Sequence, residues 1–246
     1  VTFGGSRFVS NFGTNNTFIG SGSGNVALTG TGNTALGSGA GDTLTTGSNN
    51  IALGLDAAST LTTETSNFLV NYAGAAGKDG LLAIELNDGS SDKLIMHNYP
   101  ANSVTNGNNF FIGFSAGNTT MANSASSNYG IGNAALSGLT TGFDNIAIGD
   151  ASLTVLTTGT SNIAIGKEAG YNSGGATGLV SGISNLFIGD NSGKACTSNE
   201  SANVYINENG ANTGESNTLR IGNGTGTTSS SYQLNKAFIC GIYGIT

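Results

Sequence analysis

One stretch of the chain, residues 145–166, decides the fold: Asn145-Ile-Ala-Ile-Gly149-Asp-Ala-Ser-Leu-Thr-Val-Leu156-Thr-Thr-Gly159-Thr-Ser-Asn162-Ile-Ala-Ile-Gly166. The string Asn-Ile-Ala-Ile-Gly occurs here twice, 17 residues apart, with Leu-Thr-Thr-Gly between the two copies. A fixed period of this length is typical of proteins built from stacked structural repeats. Two further clear copies of the Asn motif begin at Asn33 and Asn50, and looser copies begin at Asn16, Asn109, Asn128 and Asn185. Degenerate copies begin at Asn25, Asn67 and Asn203, and a shifted copy begins at Thr218.

The alternation inside the motif predicts a short β-strand rather than a helix. Successive side chains of a strand point to opposite faces, so Ile146 and Ile148 share one face and Ala147 lies on the other. Gly, Thr and Asn are poor helix formers, and the apolar period is two residues. We expect the larger apolar face to form the repeat core, which comprises Ile51, Leu53, Ile112, Ile146, Ile148, Ile163, Ile165 and Ile188. The small residues on the other face suit a tight coil interior.

The Leu-Thr-Thr segment is rich in β-branched Thr and predicts a second short strand in each unit. Two strands and two turns in about 17 residues form one coil of an all-β fold, a β-roll or β-solenoid. A coil this thin leaves its apolar row partly uncovered. Either the second strand or a neighbouring chain could cover it, and we favour a neighbouring chain because exposed apolar stripes usually mark interfaces. An intertwined or side-by-side homotrimer would bury three such stripes and form a rod or fibre.

Composition excludes several classes of protein. The chain has 41 Gly among 246 residues, only 9% charged residues and a net charge of −7. A nucleic-acid partner requires a basic patch, and the seven basic residues are scattered. No apolar run is long enough for a membrane span. The N-terminus shows no signal peptide, which indicates processing, excision from a larger protein, or delivery without a signal.

Two segments interrupt the repeats. The N-terminal roll is predicted over 1–66, a non-repeat insert over 67–108, a second roll over 109–222, and a linker with a C-terminal strand segment over 223–246. In the insert, two apolar runs flank Asn-Asp-Gly and predict a β-hairpin. The insert is either a recognition element, with Lys93, His97 and Tyr99 as candidates, or it is a decorated loop or a joint between the two rolls. The apolar tail should pair with another strand or another chain.

No catalytic constellation is visible, so we expect no enzyme. His97 is the only histidine, which leaves no residues for a Ser-His-Asp or Cys-His scheme. Four carboxylates follow a motif Gly by one or two residues: Asp56, Asp150, Glu168 and Asp190. They read as solubilising turn residues, with a Ca²⁺ ladder as the alternative metal site and no other cofactor expected. Cys196 and Cys240 are interpreted as packed free thiols, with a long-range or intermolecular disulfide as the alternative.

The motif resembles known families. Asn145-Ile-Ala-Ile-Gly149 and Asn162-Ile-Ala-Ile-Gly166 are similar to the head repeats of trimeric autotransporter adhesins, which are left-handed parallel β-rolls that trimerise. The fuller unit with Leu-Thr-Thr-Gly looks more like the repeats of phage tail fibres. The C-terminal part, with 217–222 and 235–246, resembles the segment that precedes an endosialidase-type intramolecular chaperone domain, which assembles a trimer and is then cleaved away.

These observations favour a structural fibre or adhesin segment that projects from a cell surface or virion tail and mediates attachment or assembly. The expected partner is the chain itself, with a host receptor or glycan as a further partner and an extracellular location. Three alternatives are a self-assembling filament subunit without receptor binding, a glycan-degrading tailspike, and an ice-binding β-solenoid. The adjacent Thr pairs weaken the last, because the two side chains of each pair would face opposite ways in a strand.

Overall fold

The computed structural model describes residues 2–3, 6–74, 82–87, 92–98, 108–122, 124–171, 179–196, 199–208 and 215–222. Within these ranges the chain forms β-strands and no helix. In the repeats each strand is three residues long and starts directly after the first residue of the motif. The strands are β1 Thr2–Phe3, β2 Ser6–Arg7, β3 Val9–Ser10, β4 Thr17–Ile19, β5 Thr34–Leu36, β6 Ile51–Leu53, β7 Phe68–Val70, β8 Leu82–Asn87, β9 Asp92–His97, β10 Phe110–Ile112, β11 Tyr129–Ile131, β12 Ile146–Ile148, β13 Ile163–Ile165, β14 Leu186–Ile188, β15 Val204–Ile206 and β16 Leu219–Ile221.

The strands from β3 to β16 form one 14-stranded sheet in sequence order. Neighbouring strands of the repeats pair in parallel, and equivalent motif positions face each other, as in Ile146 with Ile163 and Ile148 with Ile165. Within this sheet the pairs β3–β4, β8–β9 and β9–β10 are antiparallel, and β1 and β2 form a separate antiparallel pair. The predicted all-β solenoid is therefore confirmed, with about 10 turns and coils of about 17 residues.

The predicted second strand of each coil is wrong. The Leu-Thr-Thr segment forms a bend, because three successive amides converge on one carbonyl of the next coil: the N–H groups of Thr45, Thr46 and Gly47 lie 2.8, 3.2 and 3.3 Å from the oxygen of Thr62. An extended strand would point successive amides in opposite directions and could not share one acceptor in this way. Each coil thus has one strand, and the remainder is turns.

The motif asparagines form a buried ladder along the solenoid. In the coil of Asn145 the side-chain nitrogen donates to the side-chain oxygen of Asn128 and to the carbonyl of Gly159, at 3.0 and 2.9 Å. Its own oxygen accepts from the backbone and side-chain nitrogens of Asn162, at 3.0 and 3.1 Å. Because every polar group of the amide has a hydrogen-bond partner, the ladder can be buried without the free-energy cost of unsatisfied polar groups. The Asn ladder comprises Asn16, Asn33, Asn50 and Asn67 in the first roll and Asn109, Asn128, Asn145, Asn162, Asn185 and Asn203 in the second.

The middle residue of each strand fills the coil interior, as the small residues at this position predicted. Ala147 and Ala164 are fully buried, and so are the leucines of the Leu-Thr-Thr bends, such as Leu156. We call the middle residues the interior column, which runs in register as Phe18, Ala35, Ala52, Leu69, Ala83, His97, Phe111, Gly130, Ala147, Ala164, Phe187, Tyr205 and Arg220.

In several coils the residue of the interior column and the residue six positions later have complementary volumes, which we call the volume rule. Phe187 is followed by Gly193, where an added Cβ would lie 2.5 Å from the Phe187 ring. Small Ala147 is followed by Leu153, which is fully buried in a left-handed conformation with φ of 49°. A large residue at one position thus requires a small one at the other, which keeps the interior close to the density of a protein core.

The predicted hairpin in the insert is confirmed, since β8 and β9 pair antiparallel within the main sheet. The first roll continues past the expected boundary at residue 66, because Phe68–Val70 pairs in register with β6. Residues 223–246, including Cys240, lie outside the described residues. In the described ranges there is no apolar helix of membrane-spanning length.

Candidate functional surface

The outer face of the sheet carries a continuous aliphatic row. The third strand residue of each repeat points outward, and the register joins these residues through every strand from β3 to β16, including the hairpin. We call this row the outer stripe: Val9, Ile19, Leu36, Leu53, Val70, Ile84, Met96, Ile112, Ile131, Ile148, Ile165, Ile188, Ile206 and Ile221. At about 4.8 Å per strand the stripe is roughly 62 Å long.

A second row of outward-facing residues, at the first position of each repeat strand, runs beside the outer stripe. This row begins with Thr17 and Thr34 and becomes apolar from Ile51 onward, with aromatic residues near the hairpin such as Phe110 and Tyr129. The first and third positions of the repeat strands carry no charged residue. The outer face is therefore an uncharged apolar strip along the whole sheet, and this is unusual for the surface of a single soluble chain.

The eight residues expected to form the repeat core lie on this outer face. Ile148 and Ile165 are 39% and 40% exposed, and Ile51 and Ile188 are similar. The remaining four are partly buried: Leu53, Ile112, Ile146 and Ile163. In the single chain these eight residues therefore lie outside the buried core, which consists of the Asn ladder, the interior column and the buried Leu and Ala residues of the turns, such as Leu153 and Leu156.

The four carboxylates proposed as a cation ladder are not gathered into one site. Asp150 and Asp190 occupy the same coil position as Lys167, which stands between them in the stack. Glu168 accepts a hydrogen bond from the ammonium group of Lys194, which holds the pKa of Glu168 below its usual range. The described residues include no group of three or more His, Cys, Asp or Glu placed to hold a metal ion.

The fourth of these carboxylates, Asp56, belongs to a different part of the surface. It lies near Asp42, and the pKa of Asp42 is raised, first by burial and then by the charge of Asp56. Two carboxylates that repel each other at an exposed turn match the solubilising role better than a ladder that continues from coil to coil.

Of the three candidate recognition residues of the insert, His97 is the one whose side chain is described, and it is not exposed. His97 is 2% exposed and belongs to the interior column. Its Nε2 lies 2.8 Å from the carbonyl oxygen of Ala116, its ring is 5.0 Å from that of Phe111, and burial lowers its pKa to about 4. The side chain of Lys93 and all of Tyr99 lie outside the described residues.

The coil of β16 carries a polar cluster that the sequence reasoning missed. Arg220 takes the middle strand position and donates from Nε and Nη2 to the carboxylate of Glu215, at 2.9 and 2.8 Å, while the Tyr205 hydroxyl donates to the same carboxylate at 2.8 Å. The Arg220 bonds hold the pKa of Glu215 low, whereas burial and then the Glu215 contact raise that of Tyr205. A charged residue in the middle of Thr218-Leu-Arg-Ile-Gly222 was the available signal, since that position is otherwise interior.

Cys196 is free and buried, which agrees with the packed-thiol interpretation for this residue. It takes the place of the Leu in the bend, and burial, followed by the charge of Glu200, raises its pKa to about 12. Burial of this kind makes a thiol unreactive.

The hydroxyl of the first Thr in several bends is bonded within the wall of the solenoid. Thr45 and Thr140 donate to the carbonyl oxygens of Thr62 and Thr157 in the next coil, each at 3.0 Å. The second Thr of each pair, as at Thr141 and Thr158, is exposed. No family model matches the chain, and neither a curated protein nor a solved structure is found to be similar to it.

Proposed function

We propose that the chain is a non-enzymatic structural segment of an extracellular fibre, which projects from a cell surface or virion tail and serves attachment or assembly. In this proposal three copies lie side by side and cover one another's outer stripes. The outer stripe carries the proposal, because it extends without interruption through all 14 strands of the main sheet.

The size of the strip supports association. With a length of roughly 62 Å and a width of about 10 Å, it offers on the order of 600 Å² per chain, close to the ~800 Å² per partner of stable interfaces. Large exposed side chains such as Leu36, Ile131 and Ile221 gain most from being covered.

The spacing of the strip favours a second copy of the chain as its cover. A partner that matches every residue of the stripe must repeat at the same distance as the sheet, about 4.8 Å. Another copy meets this requirement along its full length. The hairpin keeps the row apolar with Ile84 and Met96 although its sequence departs from the repeat, as an interface that continues across the insert requires.

Charges lie beside the strip and not within it. Asp150, Lys167 and Asp190 follow the motif Gly and mark one border of the outer face. A net charge of −7 keeps such rods soluble, while the uncharged strip lets them associate.

The mass of the particle in solution tests the association. We expect sedimentation and light scattering to give three times the chain mass of 24.4 kDa. Ile148→Lys with Ile165→Lys should yield single chains, because two charges would be buried at each interface. Thr141→Lys with Thr158→Lys, at exposed bend positions, is the matched control and should leave the trimer intact. A wild-type protein that sediments as a single chain would sink the proposal.

Attachment requires a separate measurement. We expect the trimer to bind cells or a defined glycan on an array without altering it. Release of oligosaccharide from a bound polysaccharide would overturn the non-enzymatic part of the proposal and favour the tailspike alternative. Binding that is absent while fibres form would favour the filament alternative.

A further inference from the structure

The hairpin is a joint between two stacked rolls. The Asn ladder runs from Asn16 to Asn67 in the first roll and from Asn109 to Asn203 in the second. In the hairpin the side-chain oxygen of Asn98 accepts a hydrogen bond from the backbone nitrogen of Leu82 at 2.8 Å. The sheet passes through the joint by way of β8 and β9. At this place the two rolls are therefore connected through the sheet and the interior column.

His97 is the residue of β9 that contacts the second roll from the interior. It pairs with Phe111 of β10 across the sheet, its ring lies against the Phe111 ring, and its Nε2 reaches the Ala116 carbonyl in the following turn. On the other side it pairs with Ala83 of β8. An imidazole thus occupies a position that is Ala, Leu, Phe or Gly in the adjoining coils.

The two register partners of His97, Ala83 and Phe111, are apolar. Two titratable residues lie on the neighbouring elements. Glu85 is on β8, two residues after Ala83 and therefore diagonal to His97, and Tyr72 follows β7. The coil of β10, residues 108–122, contains no titratable side chain. Burial is the first cause acting on the His97 pKa, followed by the Ala116 carbonyl, and no charged side chain is among the causes.

We propose that His97 makes the joint acid-labile: protonation of its ring separates β9 from the first coil of the second roll, while the coils on either side stay stacked. A charged imidazole is strongly disfavoured between Ala83 and Phe111, whereas in the opened joint it is hydrated. The stacked coils on either side have their own ladders and contain no histidine.

The direction of the pH dependence follows from the lowered pKa. The folded joint holds His97 neutral to about pH 4, while an exposed histidine has a pKa of 6.5. Neutral His97 therefore contributes its full stabilisation of the closed joint above pH 6.5, and this stabilisation is lost as the pH falls towards 4. Between pH 7 and pH 5 the opening constant should rise about twentyfold, and this range stays above the pI of about 4.4.

Hydrogen exchange of the full chain at pH 7 and pH 5, corrected for intrinsic exchange rates, tests the proposal. We expect about a twentyfold rise in opening for peptides covering β9 and β10, and no change for Ile146–Ile148 or Ile163–Ile165. In His97→Gln, which stays neutral and retains a donor for the Ala116 carbonyl, the rise should disappear. An equal rise in this variant, a rise spread over all coils, or no rise in the wild type would each overturn the proposal.

A second measurement does not depend on the variant folding. Because His97 is the only histidine, its ring resonances titrate alone in the wild-type protein. We expect a native resonance that stays neutral at pH 5 together with growing intensity from an opened, protonated form. A single native resonance that titrates near pH 6.5 would show that the ring is hydrated in the closed joint, and the proposal would then be wrong.

Discussion

Exchanging the two members of one interior pair tests the volume rule of the coil. Phe187→Ala removes a fully buried ring that also contacts the Tyr205 ring at a centroid distance of 5.5 Å. Truncation of a buried Phe costs about 3–5 kcal/mol of unfolding free energy. Gly193→Leu alone should cost at least about 3 kcal/mol, since its Cβ would stand 2.5 Å from the Phe187 ring at a φ of +71°.

The double variant Phe187→Ala with Gly193→Leu reproduces the pair that Ala147 and Leu153 form two coils earlier. The new Leu would occupy the space left by the ring, so we expect the double variant to be about 2–3 kcal/mol more stable than the sum of the two single changes. The remaining destabilisation comes from the left-handed backbone conformation of the new Leu at position 193, which the native Leu153 also adopts.

Urea unfolding of the four proteins, followed by far-ultraviolet circular dichroism, measures this coupling. The matched control combines Phe187→Ala with Gly24→Leu, since Gly24 faces the Phe18 ring in a distant coil. That pair should be additive to within about 0.5 kcal/mol. If Phe187→Ala with Gly193→Leu is additive as well, the interior is not packed by the complementary pairs described above.

Three further outcomes are expected. Asn145→Leu should lower the unfolding free energy by about 3 kcal/mol or more in urea titrations, because it leaves the Gly159 carbonyl and the neighbouring ladder amides without their partners; a loss below about 1 kcal/mol would contradict the ladder. Gly149→Ala, with a φ of +136° and a Cβ directed at the carbonyl of the next coil, should cost about 3 kcal/mol, whereas Gly22→Ala, with open space around it, should cost about 1; similar melting temperatures for the two variants would count against a close-approach role. In a Cys240→Ser background, Cys196 should resist Ellman's reagent at pH 8 and react fully in urea, since burial raises its pKa to about 12; fast labelling of the native protein would refute its burial.

The repeat predicted the strands, because Asn-Ile-Ala-Ile-Gly contains both the alternation of large and small residues and the Asn and Gly that flank the strand. Its fixed period predicted that equivalent positions of successive coils stack. The repeat also indicated the inside face, because a small residue such as Ala147 suits a tight coil interior, and it left the Ile148 face as an apolar row that needs a cover. It could not decide how far the coil itself buries the larger residues of that row. The internal space of a coil decides the question, and that space depends on how the chain turns between strands.

The candidate surface was predicted in part. An uncovered apolar row was expected from the thinness of the coil, but its continuation through Ile84 and Met96 depends on hairpin register. The sequence contains Lys167 between Asp150 and Asp190. That this lysine interrupts the proposed cation ladder became clear only when the stacking placed the three residues at the same coil position. The burial of His97 had no signal of its own, since a lone histidine in an insert reads equally well as exposed.

Because of the Asn ladder, the length of this solenoid is set by the number of its coils. The Asn of each coil donates to the Asn of the coil before it and accepts from the Asn of the coil after it, as Asn145 does between Asn128 and Asn162. Excision of residues 145–161 would therefore place Asn162 against Asn128 with the same hydrogen bonds, and duplication of that unit would insert one more coil. Reach could be adjusted in steps of about 4.8 Å without a new fold or a new interface.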